Sequence, residues 1–135
     1  MAKERKELGF NAIKMNGTEE LNFIDDFSKV DALLDRVQGL RDAMGKDFGI
    51  GIDFHGRVHK AMAKIMMKEL EPMRPMFVEE PVLAEHFDCI HEIAQYGAIP
   101  IATGERFIHA GSSKNYSSMV ASILFSRCVP LRWAN

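Results

Sequence analysis

One stretch of the chain indicates its fold most directly, the apolar run FGIGID at residues 48–53. It is short, rich in isoleucine, and ends in a carboxylate, Asp53, as a buried strand does where it meets solvent. Similar runs occur at residues 12–15 (AIKM), 76–79 (MFVE) and 99–103 (IPIAT). The sequence therefore predicts four short strands.

Helical patterns separate these runs. Apolar residues recur at helical spacing over residues 30–40, 62–70 and 87–93. Gly45, Pro72 and Gly97 follow the three patterns and supply stop signals. Strands that alternate with helices through short connections predict an α/β fold with a parallel sheet, either open or closed into a barrel.

Composition and charge exclude several classes of protein. The 135 residues give room for one core, and 47% hydrophobic residues with 27% charged residues are typical of a soluble globular protein. A net charge of −2 predicts no electrostatic attraction to nucleic acid or to an anionic membrane. The apolar runs fall well short of the ~20 residues that a membrane span needs, and residues 1–7 lack the apolar core of a secretory signal.

The two cysteines, Cys89 and Cys128, have neither metal-ligand spacing nor a CxxC pattern. Cys89 lies in an amphipathic stretch and is predicted to be a small buried hydrophobe. We therefore expect a reducing, cytoplasmic setting.

Three carboxylates recur at equal intervals. Asp53, Glu79 and Glu105 are separated by 26 residues each (79 − 53 and 105 − 79), about one strand-helix unit. Equivalent positions on neighbouring parallel strands lie about 4.8 Å apart, so the three are expected to meet at the carboxyl edge of the sheet. Such anions repel unless a hard cation such as Mg²⁺ binds them. The alternative is that they are solvated strand ends without a shared role.

Other polar residues lie near this edge. Glu80 follows Glu79 and should point to the opposite face of its strand. His55 lies two residues after Asp53, so an extended backbone would place both on the same side, where an imidazole could exchange protons with a substrate. His59, farther along, is expected to face solvent.

Three motifs carry a family resemblance: DFHGR at residues 53–57, FVEEP at 77–81 and TGER at 103–106. Together they resemble the acid-sugar dehydratases of the enolase superfamily, in its mandelate racemase/muconate lactonizing enzyme group. The resemblance covers about residues 1–107, and it is specific because the three motifs occur in the family's order and spacing.

The resemblance implies a modified (β/α) barrel beneath a separate capping domain. It implies that Asp53, Glu79 and Glu105 hold Mg²⁺, which stabilises the enediolate formed when a sugar acid loses its α-proton. A histidine in the position of His55 serves such enzymes as the general acid for the departing hydroxyl. The base is a second histidine on a later strand. The parent enzyme is expected to bind a small sugar acid and to form a homo-oligomer.

The chain also departs from the family pattern. Residues 1–106 account for a partial barrel of about four strands, without a capping domain and without the strand that carries the base. Members of the group can carry a pair of lysines on the second strand. The corresponding residues here are Lys14 and Asn16, so the second lysine is missing and Lys14 has no assigned role. Residues 107–135 lose the strand-helix rhythm, and shifting the codon frame near Phe107 permits a family-like reading. We therefore expect a frameshifted tail without family structure.

Three functions are consistent with the sequence. The first is a fragment of an Mg²⁺-dependent acid-sugar dehydratase that is inactive alone. The second is a fragment of a dehydratase for another sugar acid, and the third is a small α/β binding module without chemistry.

Overall fold

The computed structural model describes residues 2–18, 21–104 and 128–130, and for Phe87 and residues 128–130 it describes the backbone only. Five strands form one sheet: β1 Ala12–Asn16, β2 Gly49–Asp53, β3 Phe77–Glu79, β4 Ile101–Thr103 and β5 Cys128–Pro130. Four α-helices connect or flank them: α1 Ala2–Glu7, α2 Phe27–Met44, α3 Lys60–Leu70 and α4 Ile90–Tyr96. Short 3-10 helices occupy Glu71–Met73 and Ala84–Cys89.

The sheet is parallel throughout, and its strands lie side by side in chain order, β1-β2-β3-β4-β5. Doubly wound folds reverse their strand order at a switch point, whereas a barrel wall does not. The four predicted strands are confirmed. They follow one another in the order of a barrel wall, and the described strands form an open sheet.

Local signals set the helix boundaries where the sequence predicts them. The Asp26 carboxylate caps α2 by accepting a hydrogen bond from the backbone N–H of Ser28. Gly45, with φ 88°, ends α2 in a conformation that glycine adopts without cost. Pro72 lies in the 3-10 turn that follows α3.

One face of the sheet forms the core with the helices. Ile52 of β2 pairs in register with Val78 of β3, which pairs with Ile101 of β4, and all three are fully buried. The helices contribute buried side chains to the same core, among them Val30, Leu33, Val37, Met62, Met66, Leu70, Ile90 and Ile93. Since side chains alternate across a strand, the residues next to these in sequence occupy the other face.

Arg41 of α2 stabilises the amino edge of the sheet through hydrogen bonds. Its guanidinium donates hydrogen bonds to the carbonyls of Phe48 (2.7 Å), Met73 (3.1 Å) and Arg74 (3.2 Å), which lie just before β2 and β3. The contact is structural, because ligands of parallel α/β proteins bind at the opposite, carboxyl edge.

The tail is described only at Cys128–Pro130, which pairs with β4 as the fifth strand. The rest of residues 107–135 lies outside the described residues, so the division at residue 106 and the frameshift stay predictions. Within the described ranges, no helix is both long and apolar enough to cross a membrane.

Candidate active site

Asp53 and Glu79 lie side by side at the carboxyl edge of the sheet. They end β2 and β3 and are partners in the parallel register. Both are buried, at 2% and 0% exposure. The structure therefore brings together two of the three carboxylates that the sequence singled out, on the face of the sheet opposite the helices.

The third carboxylate, Glu105, lies outside the described residues. The strand register nevertheless weakens the argument that equal sequence spacing aligns Glu105 with Glu79, because the partner of Glu79 on β4 is Ala102. The register step from β3 to β4 is thus 23 residues (102 − 79), not the 26 between Asp53 and Glu79. Equal spacing in sequence does not place Glu105 at the equivalent position, which is three residues earlier.

Lys14 of β1, which the sequence left without a role, forms ion pairs with both carboxylates. Its ammonium lies 3.0 Å from Asp53 Oδ2 and 2.6 Å from Glu79 Oε2. Partial burial lowers the pKa of Lys14, but the hydrogen bonds and charges of Glu79 and Asp53 outweigh it, so the pKa is raised above its ordinary value. Lys14 is therefore a protonated cation at this edge.

Gly51 of β2 makes room for the Phe77 ring on this face of the sheet. Lys14 pairs in register with Gly51, which in turn pairs with Phe77 of β3. A Cβ on Gly51 would come 2.5 Å from Cζ of the Phe77 ring, so that ring occupies the space a side chain would need. A side chain at Gly51 would therefore displace the Phe77 ring, which lies in the row next to Asp53 and Glu79.

His55 contacts Asp53 twice. Its backbone N–H donates to Asp53 Oδ1 at 2.7 Å, and its Nδ1 lies 2.9 Å from Asp53 Oδ2. The predicted proximity is present, but the predicted extended backbone is wrong, because His55 has φ 56°. A left-handed turn, followed by Gly56 at φ 58°, folds the imidazole back onto Asp53.

Glu80 is also buried. Its Oε1 accepts hydrogen bonds from the backbone N–H of Gly104 (2.8 Å) and the hydroxyl of Thr103 (3.3 Å). Glu80 has φ 43°, a region that costs energy for a residue with a side chain. It ties the end of β3 to the end of β4, immediately before Glu105 in the chain.

His59 is not the solvent-facing residue that the sequence suggested. It precedes α3, half-buried, with its ring 5.0 Å from the Phe23 ring and 5.8 Å from the His86 ring. These three residues come from the loops after β1, β2 and β3, so they hold those loops together.

The donor atoms of this edge suit a hard divalent cation. Asp53 and Glu79 supply carboxylate oxygens, the ligands that Mg²⁺ prefers. Glu79 Oε1 is buried and has no hydrogen-bond partner among the described residues, which leaves one acceptor available. The described residues contain no group of three His, Cys, Asp or Glu arranged to hold a metal, so a third protein ligand would come from elsewhere, as expected for Glu105.

A family model described as "Enolase C-terminal domain-like" matches residues 1–121. The chain belongs to this family. The enolase-like resemblance read from the three motifs is thereby confirmed, and the match includes every candidate site residue, Glu105 among them.

Relatives of this enolase-like chain are longer proteins. A D-galactonate dehydratase from Cronobacter sakazakii (strain ATCC BAA-894) is 52% identical over 104 residues, which cover 77% of this chain and 27% of that protein. The chain thus spans about a quarter of the length of this curated relative.

Solved structures show the same fold. A mandelate racemase/muconate lactonizing enzyme from Jannaschia sp. CCS1 matches with a TM-score of 0.76 at 26% identity, over 96% of this chain and 33% of that one. A dipeptide epimerase from Cytophaga hutchinsonii, complexed with Mg and the dipeptide D-Ala-L-Val, matches with a TM-score of 0.71 at 22% identity, over 90% of this chain and 30% of that one. The enolase-superfamily barrel is therefore the fold to which this sheet corresponds.

Proposed function

We propose that the chain is part of an Mg²⁺-dependent acid-sugar dehydratase that converts D-galactonate to 2-dehydro-3-deoxy-galactonate. The observation that carries the proposal is the buried pair Asp53 and Glu79 at the carboxyl edge, with His55 folded against Asp53. The 52% identity to a D-galactonate dehydratase supports this substrate over other sugar acids.

Each residue has a separate part in the proposed reaction. Asp53 and Glu79, with Glu105, would hold Mg²⁺. When bound, Mg²⁺ draws electron density from the substrate carboxylate and so stabilises the charge that develops as the α-proton leaves. His55 donates its proton to the β-hydroxyl as the carbon–oxygen bond breaks, which releases water. Asp53 orients His55 by accepting its backbone N–H.

The α-proton would be taken by a histidine on a later strand, as the family resemblance implies. We therefore propose that the 135 residues alone do not turn the substrate over and that they act within a longer, homo-oligomeric enzyme. A small sugar acid is the proposed partner. The alternative of a binding module without chemistry gains no support from the carboxylate pair, because burying two anions is costly and the one ammonium beside them offsets only part of that cost.

A chimeric enzyme tests the proposal. The matched 104 residues of the Cronobacter sakazakii enzyme are replaced by those of this chain, and Mg²⁺-dependent dehydration of galactonate is measured. We expect turnover in the chimera and a loss of more than ~10²-fold in Asp53→Asn or Glu79→Gln, since the bound cation stabilises developing charge. Asp47→Asn, which removes an exposed carboxylate, is the matched control. Full activity in both site variants would disprove the assignment.

A further inference from the structure

Lys14 contacts two of the four carboxylate oxygens that a divalent cation could bind at this edge. The Lys14 ammonium contacts Glu79 Oε2 and Asp53 Oδ2, while Asp53 Oδ1 accepts the backbone N–H of His55. Of the four carboxylate oxygens, Glu79 Oε1 is the one without a hydrogen-bond partner among the described residues. A cation that binds both carboxylates therefore either shares an oxygen with Lys14 or binds Asp53 Oδ1, which already accepts the His55 N–H, and in both cases it lies close to the ammonium.

We propose that Lys14 is an internal counter-cation that holds Asp53 and Glu79 in their paired arrangement and competes with Mg²⁺ for them. The inference rests on the proposed function. Two buried carboxylates in adjacent register positions repel each other, and a single ammonium 2.6 and 3.0 Å away offsets part of that repulsion. The same ammonium repels an incoming divalent cation at the same edge.

These two effects give opposite consequences when the charge is removed. In Lys14→Met the side chain keeps its approximate length but loses its ammonium. The carboxylate pair then repels more strongly, so the protein without added Mg²⁺ becomes less stable. The cation no longer competes with an ammonium, so its affinity rises. A lysine with a merely structural role would lower both quantities together.

The experiment measures both quantities on the full 135-residue chain. Calorimetric titration with MgCl₂ gives the affinity, and urea unfolding without Mg²⁺ gives the midpoint. For Lys14→Met we expect affinity at least ~10-fold higher than wild type, from the loss of like-charge repulsion at a few ångströms, and a lower midpoint. Lys14→Arg keeps the charge and should keep both values near wild type.

Lys68→Met is the matched control. Lys68 pairs with Glu71 at 3.0 Å on the surface, so this variant removes the same charge from an ion pair remote from Asp53 and Glu79. Its Mg²⁺ affinity should equal that of wild type. If Lys14→Met does not fold, Lys14→Gln supplies the same two measurements.

The outcomes separate this inference from the proposed function. If wild type binds Mg²⁺ and the variants that lose the charge, Lys14→Met or Lys14→Gln, bind it equally or more weakly, the competition is refuted and the proposed function stands. If neither wild type nor the variants bind Mg²⁺, the competition is refuted, and turnover of the chimeric enzyme decides the proposed function separately.

Discussion

The ammonium of Lys14 lies 2.6 Å from Oε2 of Glu79, so the first strand contacts the third directly across the second. The contact spans 65 residues of sequence.

Gly51→Ala should destabilise the protein. The new methyl group would meet the Phe77 ring at 2.5 Å, and overpacking of this kind costs about 1–3 kcal/mol. Urea unfolding measures the change. Gly39→Ala is the control with the opposite sign, because Gly39 lies exposed within α2 with nothing near its missing Cβ. It should stabilise the protein by about 0.5–1 kcal/mol. Equal effects at the two glycines would contradict the packing argument.

Glu80→Ala should loosen the turn between β4 and Glu105. Glu80 is buried, and its loss leaves the Gly104 N–H and the Thr103 hydroxyl without their acceptor, which costs about 1–3 kcal/mol. Urea unfolding gives the free energy, and amide hydrogen exchange should show faster exchange at Gly104.

Glu69→Ala is the control for this change, since Glu69 is exposed on α3 and alanine favours helix. Its effect should stay within about 0.5 kcal/mol, as is usual for surface substitutions. Unaltered exchange at Gly104 in Glu80→Ala would show that Glu80 does not hold this turn.

His55→Asn should separate proton abstraction from dehydration in the chimeric enzyme. Abstraction is assigned to a different histidine, so exchange of the α-hydrogen with deuterated solvent should persist. Departure of the hydroxyl needs a proton donor, and dehydration should slow by about 10²–10⁴-fold. Mass spectrometry follows the exchange, and product formation follows the dehydration.

A substrate analogue with fluoride in place of the β-hydroxyl provides a second measurement, because fluoride leaves with less acid assistance. It should recover much of the lost rate in His55→Asn. If exchange and dehydration fall together and the analogue brings no recovery, His55 positions other groups and does not act as the acid.

Cys89 should react slowly with alkylating reagents. Burial raises the pKa of the Cys89 thiol above its ordinary value, and its Sγ donates to the His86 carbonyl at 2.8 Å. Since the thiolate is the nucleophile, alkylation at pH 8 should be slower than for a cysteine peptide and should accelerate as the pH rises through the raised pKa. Iodoacetamide labelling of a Cys128→Ser variant measures this. The same variant in urea should react at the peptide rate, and fast labelling of the folded protein would contradict the burial.

The sequence predicted the elements well because their signals are local. The strand ending at Asp53, the stop of α2 at Gly45 and the burial of Cys89 each follow from a few neighbouring residues. The contacts of Lys14 could not be predicted in this way, because they depend on the register between strands that are 39 and 65 residues apart in sequence.

Two further details of the site also depend on tertiary structure. His55 departs from an extended backbone because its strand has ended and a left-handed turn follows, which Gly56 continues. The backbone N–H of Gly56 donates a hydrogen bond to the Glu80 carbonyl at 2.9 Å. The sequence interval from Glu79 to Glu105 matches that from Asp53 to Glu79, yet the register pairs Glu79 with Ala102. The number of residues between two carboxylates does not fix their alignment in the sheet. The register depends on which backbone groups pair, and connections of different length change the number of residues between paired positions.

The order of the strands in the sheet has a consequence for how the protein is made. Each strand pairs with the strand synthesised just before it, so β1 and β2 with their connecting helix can associate while the ribosome is still adding later residues. Asp53 is then already beside Lys14, but Glu79 arrives only when β3 docks. Lys14 and Asp53 therefore balance each other's charge first, and Glu79 adds a second buried anion to this pair when β3 docks.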